Sequence, residues 1–260
     1  MIYGCSSSPE EVSFVSDAGF NYVELPGKKI MAMENADFFS LYCKLQKLSL
    51  PALFFNSYCS SAIIIAGPKF DRGSVRSYAE KIAERGALLG IKGVGIGSPN
   101  SRILPPDFSD DTALSQLKEF LNITTEILDK KGIIVALEPL GKCFCNFINS
   151  VKEASSVLTC GVLPQVTLLA DFYNMEHEGE ADMDLFPVIH QTSHIHISDD
   201  QDNIPSMRSY LKEEKKPIHI KRIQNLQKLG YNKTITLEIN VPVDTKRARK
   251  SLAVMKSACN

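Results

Sequence analysis

The chain lacks any apolar run reaching the roughly 18 residues that a membrane span requires, so no membrane partner is expected. Its N-terminus, MIYGCSSSPEEV, has neither the basic stretch nor the long apolar stretch of a secretory signal, and a cytoplasmic location is the default expectation. Neither charge sign is in excess: 29 Lys and Arg stand against 30 Asp and Glu, for a formal net charge of -1. That balance removes any global attraction to nucleic acid. The basic stretch TKRARKSLAVMK therefore reads as the charged face of a last helix. Cysteine pairs at disulfide or zinc spacing are missing as well. The seven cysteines, Cys5, Cys43, Cys59, Cys143, Cys145, Cys160 and Cys259, are scattered and odd in number, which suits reduced thiols. Cys143 and Cys145 form only a CxC with no second pair, so no structural zinc is expected there. Histidine is scarce, at five residues in 260, yet His194 and His196 stand two apart in SHIHISDD.

Apolar residues are plentiful: 44% hydrophobic content over 260 residues is enough to bury an extensive core. Short β-branched or aromatic runs at 2–4, 22–25, 52–55, 93–96, 133–137, 166–170, 194–197 and 235–239 read as buried parallel strands. Longer stretches with apolar residues three and four apart lie between them. In SDDTALSQLKEFLNITTEILDK, Leu114, Leu117, Phe120, Leu121, Ile123 and Ile127 share a helical face, and Ser109 is placed to cap it. Similar helices start near Pro9, Ala36, Gly73, Ser150 and Asp244. About eight such units in a chain of this length match the usual extent of a (β/α)8 TIM barrel. The expected fold is therefore α/β, one barrel domain over residues 1–260. An open doubly wound sheet competes, but no GxGxxG follows the first strand. The run GVGIGSPNS near Gly93 reads as a turn rather than a phosphate cradle.

In a barrel, chemistry sits where the strands end. GIIVALEPLG ends on Glu138, QVTLLADFYNM on Asp171, SHIHISDD on His196 and TITLEIN on Glu238. An unpaired buried carboxylate costs several kcal/mol, so three in one mouth call for a positive charge. A divalent cation supplies it. One imidazole with three carboxylates suits Mn2+ first, with Mg2+, Co2+, Fe2+ and Zn2+ as alternatives. The competing view of each group is an ordinary strand-end residue, solvated or salt-bridged. Alternation along a strand points His194 and His196 to one side. His194, the deeper of the two, is expected to support the ligand His196 rather than to be a ligand itself.

At these strand ends the sequence resembles the sugar phosphate isomerase/epimerase superfamily, the xylose-isomerase-like barrels that include the ketose 3-epimerases and lie near endonuclease IV. The pieces are VELP near Glu24, Gly67-Pro68, GSPNSRILPPDF, LEPLG with Asn146 downstream, ADFYNMEHE, HIHISD and LEIN. The resemblance implies a metal held by Glu138, Asp171, His196 and Glu238, with Glu138 and Glu238 as the acid/base pair on opposite faces of a small-molecule sugar. It also implies a metal-dependent isomerase or epimerase that passes through an enediolate. A homo-oligomer is compatible, since barrels of this kind are often dimers or tetramers.

Three positions depart from the epimerase pattern. Asn174 stands where the family often has a histidine, Phe144 where it has a second glutamate, and Asp202 where it has an arginine six residues after the ligand histidine. These departures bear on the substrate rather than the metal. Asn174, Lys142, Arg102 and Glu24 are the candidate substrate contacts; for Lys142 and Arg102 a solvated loop charge is the alternative, and for Glu24 a salt bridge at the mouth. His177 reads as an exposed loop residue, and His190 and His219 as peripheral. Three other functions remain open: a lyase of the inosose dehydratase kind, a non-catalytic sugar-binding relative, and DNA repair of the endonuclease IV kind, which needs more histidines.

Overall fold

The computed structural model describes residues 1–258, so Cys259 lies outside the described residues. Eight parallel strands close into a barrel: β1 (Ile2–Ser6), β2 (Tyr22–Pro26), β3 (Ala52–Asn56), β4 (Gly93–Ile96), β5 (Ile134–Leu137), β6 (Val166–Asp171), β7 (Thr192–Ile197) and a last strand, β10 (Thr234–Leu237). Each strand neighbours the next in sequence around the ring, and β10 pairs with both β7 and β1. The barrel expectation and all eight strand positions hold. Between β7 and β10 lies an antiparallel hairpin, β8 (Asp199–Gln201) with β9 (Ile204–Ser209), which the sequence reading does not contain.

Outside the barrel pack α1 (Val12–Ala18), α2 (Gly27–Ala32), α3 (Asn35–Leu48), α4 (Arg72–Leu89), α5 (Asp110–Leu128), α6 (Val151–Leu158), α7 (Phe172–His177), α8 (Lys216–Lys228) and α9 (Thr245–Ser257). Side chains cap several of them where the sequence places a start. Ser109 accepts from the Thr112 amide, Ser150 from Glu153 and Asp244 from Arg247, each satisfying an amide that the helix leaves unpaired. The segment after β6 is not one long helix. It breaks just before Gly179, whose φ of 73° suits glycine, into α7 and a 3-10 stretch over Asp182–Gln191 with Pro187 inside it. No helix among the described residues is long and apolar enough to cross a membrane. Cys5, Cys43, Cys59, Cys143, Cys145 and Cys160 are free thiols.

The barrel interior is filled by rings, and glycines on neighbouring strands make room for them. A side chain at Gly4 would run into the Tyr22 ring, and one at Gly93 into the Phe54 ring. The Tyr22 hydroxyl lies 2.8 Å from Thr236 Oγ1, and Phe54 stacks on His194 with ring centroids 3.9 Å apart. These contacts fix the depth at which the histidine pair sits. Overpacking a filled core costs roughly 1–3 kcal/mol. Gly93→Ala should therefore lower the urea midpoint by a corresponding amount, whereas Gly73→Ala, in the exposed first turn of α4, should leave it unchanged or raise it. Equal midpoints for Gly93→Ala and the wild type would contradict this packing.

Candidate active site

Parallel register brings the polar strand ends together. Asp171, the last residue of β6, pairs with His196 of β7, and His196 pairs with Thr236 two residues before Glu238. Glu138 follows β5 on the other flank. One ligand atom from each of Glu138, Asp171, His196 and Glu238 falls in a group within 4.8 Å. His196 Nδ1 stands 3.2 Å from Glu238 Oε2 and 3.6 Å from Glu138 Oε1. Asp171 and His196 are fully buried and Glu138 nearly so. Gly97 makes space for the Glu138 carboxylate, since a Cβ there would overlap its Oε2.

The donor set meets the requirements of a divalent cation. It offers three carboxylates and one imidazole nitrogen, and His196 Nδ1 is buried without a hydrogen-bond partner. Buried polar atoms are rarely left so, and a nitrogen facing three carboxylates, where the protein alone favours a proton, is where a cation would sit in that proton's place. Glu138, Asp171, His196 and Glu238 are the residues that would hold it. A second group, Glu24 with His194 and His196, is closed by hydrogen bonds. Glu24 Oε1 and Oε2 lie 2.9 Å from His196 Nε2 and His194 Nε2 respectively.

Arg208 is the mouth residue that the sequence reading missed. Its Nη1 lies 2.5 Å from both Asp171 Oδ2 and Glu238 Oε2, and its Nη2 donates to Asn174 Oδ1 at 2.9 Å. The guanidinium also lies 4.7 Å from the Tyr173 ring centre and 5.8 Å from that of Phe144. The departure at Asp202 therefore does not leave the mouth without a guanidinium. Asp202 is exposed in the two-residue turn of the β8–β9 hairpin, where Asp202 and Asn203 both have positive φ, 57° and 58°, as a type I′ turn demands. The hairpin carries the chain out and back, so the arginine arrives later than a fixed spacing predicts. Asn240 holds the returning strand, its backbone amide bonding to the Arg208 carbonyl and its side chain to the Ser206 carbonyl.

The charges settle one another. Burial alone would raise the Glu24 carboxyl, but His196 and His194 hold it far below the usual range. Burial would likewise raise Glu238, yet Arg208 and His196 bring it down to about 2. Glu138 goes the other way: burial, with the neighbouring Glu238 and Asp171 charges, outweighs His196 and pushes it up. His196 is raised because Glu24 and Glu238 overcome the cost of burial, whereas burial wins at His194 and keeps it neutral.

The other candidates fall in different places. Asn174 is buried, donating to the Pro139 carbonyl as well as holding Arg208. Lys142 is exposed and paired with Glu178 at 3.4 Å. Arg102, a candidate substrate contact with a solvated loop charge as the alternative, is not solvated: its side chain is fully buried and its Nη2 donates to the Glu138 carbonyl at 2.6 Å, bracing the end of β5. Glu24, expected at a substrate or in a salt bridge at the mouth, lies beneath the mouth against the two histidines. His177 and His190 are exposed, but His219 is buried with Nε2 2.8 Å from Asp199 Oδ2, a correction to its peripheral reading. Above the acidic cluster opens a cavity of about 570 Å3, lined by Ser6, Asn56, Glu138, Phe144, Arg208 and Glu238 among others.

Fold and site together define a closed parallel barrel with an oxygen-rich cluster, one that could hold a metal ion, at the C-terminal ends of its strands. The profile of the xylose isomerase-like TIM barrel family matches residues 12–258, and the chain belongs to that family. The 3-dehydro-D-guloside 4-epimerase of Escherichia coli (strain K12) is 27% identical over 130 residues, 46% of this chain and 48% of that protein. The match thus spans about half the length of that curated relative. Among solved structures, 3-keto-D-glucoside 4-epimerase from E. coli in its apo form aligns with a TM-score of 0.75 at 20% identity over 99% of each chain. D-allulose 3-epimerase from Methylomonas sp. aligns with a TM-score of 0.81 at 17% identity over 99% of this chain and 98% of its own. At these identities the structural likeness is one of fold.

Removing one partner of a buried ion pair leaves the other charges uncompensated, at a cost of about 3–5 kcal/mol. Arg208→Ala should lose stability on that scale in chelator-treated protein, and Mn2+ should restore most of the loss by neutralising Asp171 and Glu238. A variant as stable as the wild type without metal, or one whose unfolding midpoint ignores Mn2+, would contradict the charge balance described.

Proposed function

We propose that the protein is a metal-dependent epimerase or isomerase of a keto sugar or related polyol ketone. The observation that carries this reading is the convergence of Glu138, Asp171, His196 and Glu238 within 4.8 Å, with Glu138 and Glu238 lining an open cavity. A cation held by Glu138, Asp171, His196 and Glu238 would supply Lewis acidity, making the C-H beside a carbonyl more acidic. Mn2+ is the first choice for this donor set, with Mg2+, Co2+, Fe2+ and Zn2+ as alternatives.

The protein's own groups do the proton work. Glu138 and Glu238 come from β5 and β10, which are separated in the ring by β6 and β7, so their carboxylates approach from two flanks. One, ionised, takes the proton from carbon, and the other, carrying a proton of its own, delivers that one to the opposite face, inverting the stereocentre. Return to the neighbouring carbon isomerises a ketose to an aldose with the same equipment. Arg208, steadied by Asn174, presents N-H donors to an oxygen of the substrate. Asn56, whose Nδ2 lies 3.4 Å from Glu238 Oε1, orients that carboxylate. The cavity falls within the roughly 300–1,000 Å3 range of drug-sized ligand sites, and the guloside and glucoside epimerases among the similar proteins add support for a glycoside as well as a free ketose.

The test is solvent exchange. In D2O with Mn2+, a candidate ketose or keto-glycoside should gain one deuterium at the inverted carbon. Glu138→Gln and Glu238→Gln should each lower kcat by about 10²–10⁴. Loss of water from the substrate instead of exchange would make the protein a lyase. Tight sugar binding without exchange or turnover in the wild type would leave a non-catalytic sugar-binding protein.

A further inference from the structure

Glu24 sits outside the cation-binding group, yet it is fully buried and spends one oxygen on each imidazole of the pair, at 2.9 Å to His194 Nε2 and 2.9 Å to His196 Nε2. A carboxylate has no proton to give when ionised, so both contacts require N-H on the imidazoles. His194 can satisfy this as a neutral ring. Its Nδ1 lies 2.6 Å from Thr234 Oγ1, whose hydroxyl donates to it and leaves the proton on Nε2. Phe54 stacks on the ring and the Thr236 hydroxyl stands 3.2 Å from Nε2, so His194 cannot turn away. His196 is the other half of the chain. With Nε2-H committed to Glu24, the nitrogen that can offer a lone pair to a cation is Nδ1, the buried atom without a hydrogen-bond partner that faces Glu138 and Glu238.

We propose that Glu24 is a positioning residue: through a relay from Thr234 to His194 to Glu24, it fixes His196 as the tautomer that presents Nδ1 to the divalent cation. This rests on the reading that Glu138, Asp171, His196 and Glu238 hold that cation. It assigns Glu24 neither to substrate nor to a second metal site, although Glu24, His194 and His196 lie close enough together to suggest one. The reason is geometric. Both Nε2 atoms are at hydrogen-bond distance from the two oxygens of one carboxylate, and the fixed protons occupy the positions where a cation would need lone pairs. A carboxylate behind a ligating imidazole raises its basicity and fixes its orientation.

Two measurements separate this inference from the metal site beneath it. The first is Zn2+ titration by calorimetry. Wild type should bind one Zn2+, and Glu24→Gln should bind it 10–100-fold more weakly, the loss typical of an outer carboxylate partner, while its circular dichroism stays that of the wild type. Glu24→Gln keeps the volume but not the charge or the second acceptor, so an unchanged affinity would overturn the proposal and leave the metal site standing. Failure of the wild type to bind Zn2+ would overturn both.

The second needs no variant and decides the matter if Glu24→Gln does not fold. In Zn2+-loaded wild type labelled with 15N-histidine, the His196 resonances should show a protonated Nε2 and a metal-bound Nδ1. Zn2+ on Nε2 of His196 or His194, or a proton on His196 Nδ1, would overturn the proposal.

Discussion

The mouth of this barrel is governed by the cost of burying like charges together. Glu24, Glu138, Asp171 and Glu238 meet around one imidazole and one guanidinium, and each carboxylate finds part of its compensation in a neighbour. A buried carboxylate without such a partner would take up a proton or destabilise the fold by several kcal/mol. The barrel solves the problem in two layers. In the lower one Glu24 is shared by His194 and His196; in the upper one Glu138, Asp171 and Glu238 face His196 and Arg208. His196 belongs to both, its Nε2 at Glu24 in the lower layer and its Nδ1 facing Glu138 and Glu238 in the upper.

The rest of the architecture follows from delivering these groups to one place. Parallel register puts successive strand ends side by side, and the alternation along β7 sends both histidines inward. Gly4, Gly93 and Gly97 lie where a side chain would strike Tyr22, Phe54 or Glu138, so absence of side chain is as necessary to the site as its presence elsewhere. The outer supports are loops. Arg102 braces the end of β5, Asn146 bonds both the amide and the carbonyl of Leu104, and Asn240 ties the strand that carries Arg208. Below the hairpin, Asp199 accepts from His219 and from the Lys212 amide, anchoring the two ends of the excursion.

Much of this was legible in the sequence because it depends on local pattern. Buried parallel strands are short apolar runs, so a polar residue at the end of such a run stands out, as Glu138, Asp171, His196 and Glu238 do, and the structure brings these four together. What escaped depends on contacts distant in sequence. Arg208 reaches the mouth only because a polar hairpin interrupts the expected spacing, and SDDQDNIPSMRSY carries no apolar alternation to announce it. Arg102 reads as a loop charge because nothing nearby indicates that the Glu138 carbonyl and surrounding side chains enclose it. Glu24 was visible as a polar strand end, but its partners lie 170 and 172 residues away. The burial of His219 likewise requires Asp199, 20 residues earlier.

The measurement that bears most directly on the site is the position of a bound cation. Crystals grown with Mn2+ and measured for anomalous scattering should show one strong peak, at roughly 2.0–2.3 Å from oxygens of Glu138, Asp171 and Glu238 and from Nδ1 of His196, with the Arg208 guanidinium displaced from between Asp171 and Glu238. A map with no peak at the strand ends under saturating Mn2+, and Arg208 still bridging the two carboxylates, would contradict the account. The four acids would then be balanced by the protein alone.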